Sequence, residues 1–318
     1  MRTFAMEKRT TRQAFGDGLL QAARIDDTIM GLGADTTHNM GMKEMETELP
    51  GRVLNTGIAE QNMMDIAAGL AATGYHVFAA SFAPFVCMRA LEQFRTFVCY
   101  PNLNVKVGGG MAGYSAGVEG VTHQCLEDIG IMRMLPNNKV IVPADANATE
   151  VIVRELAKIP GPAYIRTGKT EFHGVFGKDY EFVLGKAKLL GQGSEATIIT
   201  NGQMVARSLQ AYDVLKEQGI SVRVLEMATV KPLDTEAISQ AAAETGAIIV
   251  AEEHFKAGGL CGAVCEHLCT TTPVSVELVA APDKFGESGY PDALLDKYGL
   301  GVADIVNAVK AAIARKLG

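Results

Sequence analysis

The sequence lacks the features that would direct it to a membrane, to a secretory route or to nucleic acid. Its 318 residues contain no apolar run of about 18 residues that could span a bilayer, and the first nine residues hold no apolar stretch of signal-peptide length. Basic residues are not in excess, because 29 Lys and Arg stand against 36 Asp and Glu, for a formal charge of −7. A negatively charged chain has little attraction for a polyanion. These absences predict a cytoplasmic protein without nucleic-acid or membrane partners.

The six cysteines do not show the paired spacing of a small secreted scaffold, so we expect reduced thiols. Cys261, Cys265 and Cys269 recur every four residues, with His267 between the last two. On a helix this spacing produces a slowly drifting stripe, which could hold a metal ion but more often consists of small apolar side chains facing a core. We interpret the stripe as core.

What the sequence contains is a regular alternation of β-branched runs and longer helical patterns. Such alternation indicates βα units around mostly parallel sheets, and a chain of this length suits two cores better than one. We therefore predict an α/β fold with two doubly wound, mostly parallel-sheet domains, at residues 1–168 and 194–318. Between them, at 169–193, the pattern weakens into Gly, Lys and aromatic residues, which is typical of a linker with some extended pairing.

The same patterns place the individual elements. In the first domain, strands are predicted near Thr28 to Gly33, His76 to Ala80, Asn104 to Val107, Lys139 to Val142 and Ala163 to Arg166, and helices near Gln13 to Ala23, Gln61 to Ala72, Phe85 to Phe97, Leu126 to Met134 and Thr149 to Ile159. In the second domain, strands are predicted at Ala196 to Thr200, Ser221 to Glu226, Ala247 to Ala251 and Val274 to Leu278, with helices opening near Gln203 and Gly259 and a closing helix at Val302 to Lys316.

Three short motifs in the first domain carry the functional signal. They read GIAEQNM at residues 57–63, SFAPF at 81–85 and THQ at 122–124. Glu60 stands at the N-terminal turn of an apolar helix, where a carboxylate by itself usually only complements the helix dipole. In order and spacing, however, the three motifs resemble the pyrimidine-binding domain of transketolases and of 1-deoxyxylulose-5-phosphate synthase. The resemblance runs from about Thr11 to the C-terminus.

The resemblance implies a thiamine diphosphate cofactor and a role for each motif. Glu60 matches the glutamate that hydrogen-bonds N1′ of the aminopyrimidine, a role that calls for a poorly solvated carboxyl group. Phe82 and Phe85 match the aromatic pocket around that ring, although their spacing alone is also typical of core residues. His123 stands where the family carries a His or Gln near the reacting carbons, and it is a candidate to donate to a developing alkoxide. Further candidates to support the pocket, or simply to lie on the surface, are Gln61, Arg89 and Gln93.

The sugar substrate would meet a second group of residues. Arg12 and Lys169 match two positions where the family uses arginines to hold the sugar phosphate, and Lys169 keeps the charge without the bidentate fork. Glu119 matches a position, usually Asp, that contacts substrate hydroxyls. Two departures concern the phosphate itself, because Met111 stands in place of a histidine and Asn39 in place of a serine. They leave open a branched, sulfonated or otherwise unusual donor.

No metal site is predicted within this chain. The family's diphosphate motif is Gly-Asp-Gly followed by Asn about twenty-five residues later, and it requires a strand ending at the triplet so that Asp and Asn can ligate Mg²⁺. Residues Gly16, Asp17 and Gly18 followed by Asn39 imitate this motif, but the triplet lies inside a helical pattern. We therefore expect Mg²⁺ and the diphosphate to be bound by an N-terminal transketolase subunit, in a heterotetramer with two-fold symmetry.

The leading hypothesis is thus the C-terminal subunit of a split transketolase, which moves a two-carbon ketol unit from a ketose phosphate or related anionic sugar to an aldose. Two other enzyme interpretations share the design: the beta subunit of a 2-oxo acid dehydrogenase and a synthase that joins pyruvate to glyceraldehyde phosphate. A noncatalytic assembly subunit is a third alternative. The second domain supports this last alternative best, because we expect Glu252, Glu253 and His254 to have structural or interface roles there.

Overall fold

Two large sheets and one two-stranded sheet, formed by the first and eighth strands, organise the chain in the computed structural model, which describes residues 4–317 apart from the side chains at 6–8 and 317. The strands are β1 (Met6–Thr10), β2 (Ile29–Gly33), β3 (Val53–Asn55), β4 (His76–Phe82), β5 (Val105–Gly110), β6 (Lys139–Ile141), β7 (Ala163–Arg166), β8 (Glu171–His173), β9 (Lys188–Gly191), β10 (Ala196–Thr200), β11 (Val222–Glu226), β12 (Thr229–Lys231), β13 (Ala247–Phe255) and β14 (Ser275–Ala281).

The helices lie between these strands, as the alternating pattern requires. They are α1 (Thr11–Ala23), α2 (Lys43–Glu48), α3 (Glu60–Ala72), α4 (Leu91–Gln93), α5 (Asp128–Met134), α6 (Ala146–Ala157), α7 (Met204–Glu217), α8 (Thr235–Thr245), α9 (Leu260–Thr271), α10 (Pro291–Lys297) and α11 (Val302–Leu317). Two π-helical segments, Phe85–Arg89 and Phe94–Cys99, flank α4, and a 3₁₀ segment covers Gly113–Glu119.

The first sheet has the strand order β12-β6-β7-β5-β4-β2-β3, and all its strands are parallel except β12. The strand β3 lies on one side of β2, and β5, β7 and β6 lie on the other side beyond β4, so the topological switch point lies between β2 and β4. In open α/β sheets, ligands bind at the carboxyl ends of the strands beside such a point. The topology therefore predicts a ligand site at the carboxyl end of β4.

The second sheet has the order β14-β13-β10-β11-β9, with the parallel strands β10, β11, β13 and β14 and the antiparallel edge strand β9. The two halves are interlocked, because β12 follows β11 in sequence yet pairs with β6 of the first sheet. The predicted α/β class with mostly parallel sheets is thus confirmed. The proposed linker at 169–193 holds β8, which pairs with β1, and β9, but the exact domain boundaries stay a prediction.

Most predicted elements are present within a few residues of their expected ends, and the differences have local causes. The helix predicted from Phe85 to Phe97 is broken into α4 and two π-helical segments. The short elements β3, β12 and α2 were not predicted, because three to six residues give too little periodic signal. The helix α8 was also missed.

The Gly-Asp-Gly triplet lies inside α1, as predicted. A Cβ atom on Gly16 would fall 1.9 Å from the carbonyl oxygen of Gly41, and one on Gly18 would fall 2.6 Å from that of Glu150 in α6. The two glycines therefore allow close packing of α1, while Asp17 pairs with Arg9 at 2.6 Å. Among the described residues, no group of three or more His, Cys, Asp or Glu side chains is placed to hold a metal ion.

The cysteine stripe faces the core only at its beginning. Cys261 is fully buried, Cys265 is half-buried and Cys269 is exposed, so the interpretation as core is right for the first and wrong for the last. The drift of a four-residue spacing around a helix explains the change. In the part of the chain that the structure describes, no helix is long and apolar enough to cross a membrane.

Candidate active site

The predicted functional residues of the first domain gather at the carboxyl ends of its parallel strands. Phe82 is the last residue of β4, and the segment with Glu119 and His123 follows β5. Glu60 opens α3 shortly after β3. Because parallel strands end at the same edge of the sheet, these distant sequence positions lie side by side.

Glu60 is 2% exposed and receives a single ion pair. The Nη1 atom of Arg89 donates to its Oε2 atom at 2.7 Å. No described residue donates a hydrogen bond to the other carboxylate oxygen, Oε1. This oxygen is therefore available to accept a hydrogen bond from a ligand. The expectation of a poorly solvated carboxyl group at this position is met.

Arg89 links this carboxylate to the aromatic residues. Its guanidinium carbon lies 4.5 Å from the centre of the Phe85 ring, a cation–π distance, while the side chain remains 47% exposed. Sequence reasoning had left Arg89 open between pocket and surface, and the structure places it against Glu60. Among the described residues, neither of the other two candidates bonds to Glu60, since Gln61 is exposed and Gln93 donates to Glu92 at 3.0 Å.

Three rings surround the mouth of the site. The ring centroids lie 6.1 Å apart for Phe82 and Phe85, 5.8 Å for Phe82 and His123, and 5.6 Å for Phe85 and His123. All three side chains are only half-buried, so each keeps surface for a ligand. His123 meets the Thr122 hydroxyl through Nδ1 at 3.0 Å, and its Nε2 atom has no partner among the described residues.

Arg12, Glu119 and Lys169 form a second cluster. Lys169 Nζ donates to Glu119 Oε1, and its backbone N–H donates to the Ser115 hydroxyl at 3.1 Å. Arg12 is half-buried and makes no hydrogen bond or ion pair with any described side chain. Burial lowers the pKa of Arg12, an effect that the nearby charges of Glu119 and Glu171 oppose. Arg12 is therefore the cation of this cluster that lacks a direct partner.

The two departures from the family pattern lie in different surroundings. Met111 is 3% exposed and has a φ of 58°, directly after β5, so it lies within the packed interior at the strand end. Asn39 is exposed, and its neighbour His38 pairs with Glu46 at 2.6 Å. The structure thus offers no additional hydrogen-bond donor for an anion at Met111.

The acidic motif of the second domain lies away from these rings and makes packing contacts. Glu252 accepts hydrogen bonds from the backbone N–H groups of Leu260 and Cys261, at 2.8 and 2.7 Å, at the start of α9. Glu253 and His254 instead reach residues of the first domain. These contacts agree with the expectation of structural and interface roles.

Chemically, the site combines a buried carboxylate that has one free oxygen, two open aromatic faces and an imidazole with one free nitrogen. A heteroaromatic ring lying against Phe82 or Phe85 could direct a ring nitrogen or its proton to Glu60. The free nitrogen of His123 could then serve a substrate bound next to that ring. The arrangement suits proton transfer between a bound ring system and a polar substrate.

Comparison with known proteins gives two matching families. The transketolase pyrimidine-binding domain matches residues 7–173, and the transketolase C-terminal domain matches residues 185–305. A 6-deoxy-6-sulfo-D-fructose transketolase subunit from Clostridium sp. strain MSTE9 is 39% identical, over 98% of this chain and 97% of that protein. A subunit of an apulose-4-phosphate transketolase from Phocaeicola vulgatus is also 39% identical, over 91% and 93%.

Among solved structures, a split-gene transketolase described as an inactive beta4 tetramer superposes with a TM-score of 0.91. It is 43% identical in sequence and covers 96% of this chain and 99% of its own.

The contact between Arg89 and Glu60 can be tested through stability. Replacement of the arginine in Arg89→Met leaves a buried carboxylate without a donor, and the free energy of unfolding should fall by about 1–2 kcal/mol, since the exposed side of Arg89 is screened by water. Urea unfolding at neutral pH measures this change.

Arg95→Met is the matched control, because Arg95 is an exposed arginine of the neighbouring π-helical segment, and among the described residues its side chain hydrogen-bonds only to Thr96. In the Glu60→Gln background the cost of Arg89→Met should shrink, as a double-mutant cycle would report. Equal losses for Arg89→Met and Arg95→Met would contradict the proposed coupling.

Proposed function

Because the chain belongs to the transketolase family, we propose that it is the C-terminal subunit of a split transketolase that transfers a two-carbon ketol unit from an anionic ketose to an aldose. The observation that carries this proposal is the buried Glu60, with one oxygen free, beside the open rings of Phe82, Phe85 and His123. The relatives that are named as transketolase subunits match over nearly their whole length, which supports it further.

The residues present fit the aminopyrimidine of thiamine diphosphate. Glu60 would share a proton with N1′ of the ring through its free oxygen, and Phe82 and Phe85 would pack against the ring. When bound, thiamine diphosphate supplies the carbanion nucleophile of the reaction. Arg89 would hold the carboxylate of Glu60 in place from its opposite oxygen, so that proton sharing occurs on one side only.

His123 would act on the substrate. Thr122 fixes the ring through Nδ1, which leaves Nε2 to hold or release a proton at the reacting oxygen of the sugar. Its ring centroid lies 5.8 Å from that of Phe82 and 5.6 Å from that of Phe85, which supports a role beside the same ligand. Glu119, four residues earlier, would receive hydrogen bonds from substrate hydroxyls.

The far end of the ketose would meet Arg12 and Lys169. Arg12, Lys169 and Glu119 together carry a formal charge of +1, and the nearby carboxylate of Glu171 offsets the positive charge of Arg12 further. A phosphate monoester carries about −1.5 to −2 at neutral pH, whereas a sulfonate carries a single negative charge. With no donor added at Met111, the cluster matches a singly charged terminal group better than a phosphate. We include such a donor, a sulfonated ketose, within the proposed substrate class.

The diphosphate and Mg²⁺ would be bound by an N-terminal subunit, completing a heterotetramer in the cytoplasm. Exposed apolar side chains stand next to the site residues in sequence, namely Ile58, Met88, Val118 and Val121. Apolar residues that remain exposed around a site are typical of a surface covered by another chain. The relatives named as subunits and the split-gene relative point the same way.

Cofactor binding tests the shared site directly. Thiamine diphosphate with Mg²⁺, titrated by calorimetry into this chain alone, should give no measurable heat, because only the aminopyrimidine would find its contacts. Binding should appear when the chain is co-expressed with its N-terminal subunit. Tight binding by this chain alone would show that the site is not divided between subunits.

The role of Glu60 is tested by Glu60→Gln in the assembled complex. Loss of the carboxylate removes the proton-sharing group, so turnover should fall by about 10²–10⁴-fold. The isolated chain should keep its circular dichroism spectrum and cooperative unfolding. Asp65→Asn, an exposed position of the same helix α3, is the control and should retain full activity. Turnover of Glu60→Gln within a few-fold of the wild type would remove this assignment.

The charge of the second cluster predicts a change in donor preference. Glu119→Gln raises the formal charge of the cluster to +2 and frees Lys169, so kcat/KM for a phosphorylated ketose should rise relative to that for its sulfonated analogue. Glu48→Gln removes the same charge from the pair with Arg24 on the far surface and should leave this ratio unchanged. An unchanged or lower ratio in Glu119→Gln would contradict the charge argument.

A further inference from the structure

The last residues of β13 contact the first domain, although Phe255 still pairs with Ala281 of β14 in the second sheet. Within this strand, Glu252 stays in its own domain and caps α9, as described above. Of the next three residues, Glu253 and Phe255 form hydrogen bonds with the segment between β5 and α5, and His254 accepts one from Gly130 within α5. That segment carries Glu119 and His123.

Glu253 fixes the beginning of the segment. Its side chain is 3% exposed, and its Oε1 atom accepts a hydrogen bond from the backbone N–H of Tyr114 at 2.6 Å. Its Oε2 atom accepts from Arg166 Nη1 at 3.1 Å. Arg166 in turn donates through Nε to Asp128 at 2.9 Å and through Nη2 to the carbonyl oxygen of Cys125 at 3.2 Å. One buried carboxylate therefore orders both the start of the segment and the arginine that holds its end.

The following two residues of β13 fix the other end. The backbone N–H of Gly130 donates to His254 Nε2 at 3.1 Å, so the ring proton lies on Nδ1, which donates to the carbonyl oxygen of Phe255 at 2.7 Å. The backbone N–H of Phe255 donates to the carbonyl oxygen of Leu126 at 3.0 Å. Both ends of the segment are thus hydrogen-bonded to one strand of the second domain.

A loop of the second domain also touches the middle of the segment. The side-chain amide of Gln124 donates to the carbonyl oxygen of Glu287 at 2.8 Å, and the backbone N–H of Gly289 donates to the carbonyl oxygen of Gly117 at 3.4 Å. His123 lies directly before Gln124 in this held stretch. Its orientation therefore depends on contacts that the first domain does not make by itself.

The approach of Glu253 to the segment requires a glycine. Gly113 has a φ of 63°, and a Cβ atom at this position would lie only 2.3 to 2.5 Å from the carboxyl atoms of Glu253. Any side chain at Gly113 would push the carboxylate away from the Tyr114 amide. The position of the Glu253 carboxylate in the second domain thus requires a glycine at residue 113 of the first domain.

From these contacts we propose that Glu253 is a positioning residue, which holds the segment 113–126 so that Glu119 and His123 face the substrate. It touches neither substrate nor cofactor and acts through the Tyr114 amide and Arg166. The catalytic meaning of this positioning rests on the transketolase function proposed above. The second domain would then determine substrate handling as well as assembly.

The physical test needs only the chain itself. In Glu253→Gln one oxygen must serve two donors, so either Tyr114 or Arg166 loses its acceptor. Hydrogen exchange followed by mass spectrometry should show amides of residues 113–126 exchanging about tenfold faster. Glu252→Gln is the matched control, because Glu252 is also buried on the same strand and, among the described residues, its side chain bonds only to α9. This variant should loosen residues 260–271 and leave 113–126 unchanged.

The functional test uses the complex with the N-terminal subunit. Glu253→Gln should lower kcat/KM for the ketose donor by about 10- to 100-fold, the scale expected for a misplaced catalytic group, while the affinity for thiamine diphosphate stays near that of the wild type. Glu252→Gln should keep both values. Glu253→Asp, which retains the charge but shortens the reach, should resemble Glu253→Gln and replaces it if the amide variant does not fold.

The outcomes separate this inference from the proposed function. Faster exchange confined to 113–126 together with a selective loss of donor turnover supports the positioning role. Equal exchange in the Glu253 and Glu252 variants, or faster exchange with unchanged kcat/KM, overturns it. A wild-type complex with no transketolase activity would instead overturn the proposed function, and the exchange result would still decide whether Glu253 holds the segment.

Discussion

The buried charge of Arg166 is the constraint on which the arrangement of the two domains depends. Burial alone lowers the pKa of this guanidinium, but the attraction of Asp128 and Glu253 outweighs it, so the pKa lies above the usual arginine value. Asp128 comes from the first domain and Glu253 from the second. A buried ion loses its hydration, and removal of one partner leaves an uncompensated charge. Arg166 therefore keeps both of its carboxylate partners only if the two domains pack in one relative position.

The same packing of the two domains also arranges the candidate site. Arg166 is the last residue of β7. Its partner Glu253 contacts the start of the segment that follows β5, and its partner Asp128 lies just after the end of that segment, so the segment is held by residues of both domains. The parallel sheet brings Phe82 and Glu60 to the same edge, and the held segment adds His123. On the remaining side the rings are open, beside exposed apolar residues. The candidate site is thus held by contacts within this chain on one side and open on the other.

Much of this could be predicted from the sequence because the signals are local. Alternating strands and helices predict the α/β class, and the spacing of GIAEQNM, SFAPF and THQ carries the family resemblance. The prediction fails where local signals are weak or mixed. The Phe85 to Phe97 stretch is apolar enough to resemble one regular helix, yet packing divides it into π-helical turns around α4. Cys269 follows the period of its stripe but lies beyond the buried face of α9.

Site partners that are remote in sequence could not be predicted. The sequence did not decide whether Arg89 lies in the pocket or on the surface. Only the fold brings its side chain into contact with Glu60 and over the ring of Phe85. The pairing of Lys169 with Glu119 likewise joins residues 50 positions apart and changes the net charge that a substrate would meet. No period or motif encodes such contacts, because they arise when separate strands end at a common edge.

The sequence by itself determined the fold class, the family and the candidates for residues that would approach a cofactor, since these follow from periodicity and from short motifs. Only the tertiary structure decided how those residues are held. Glu252 and Glu253 are adjacent and chemically identical, yet one caps a helix of its own domain and the other orders a segment of the neighbouring domain. The alternation of side chains along a strand sends consecutive residues to opposite faces, and what each face meets is set by the packing of the whole chain.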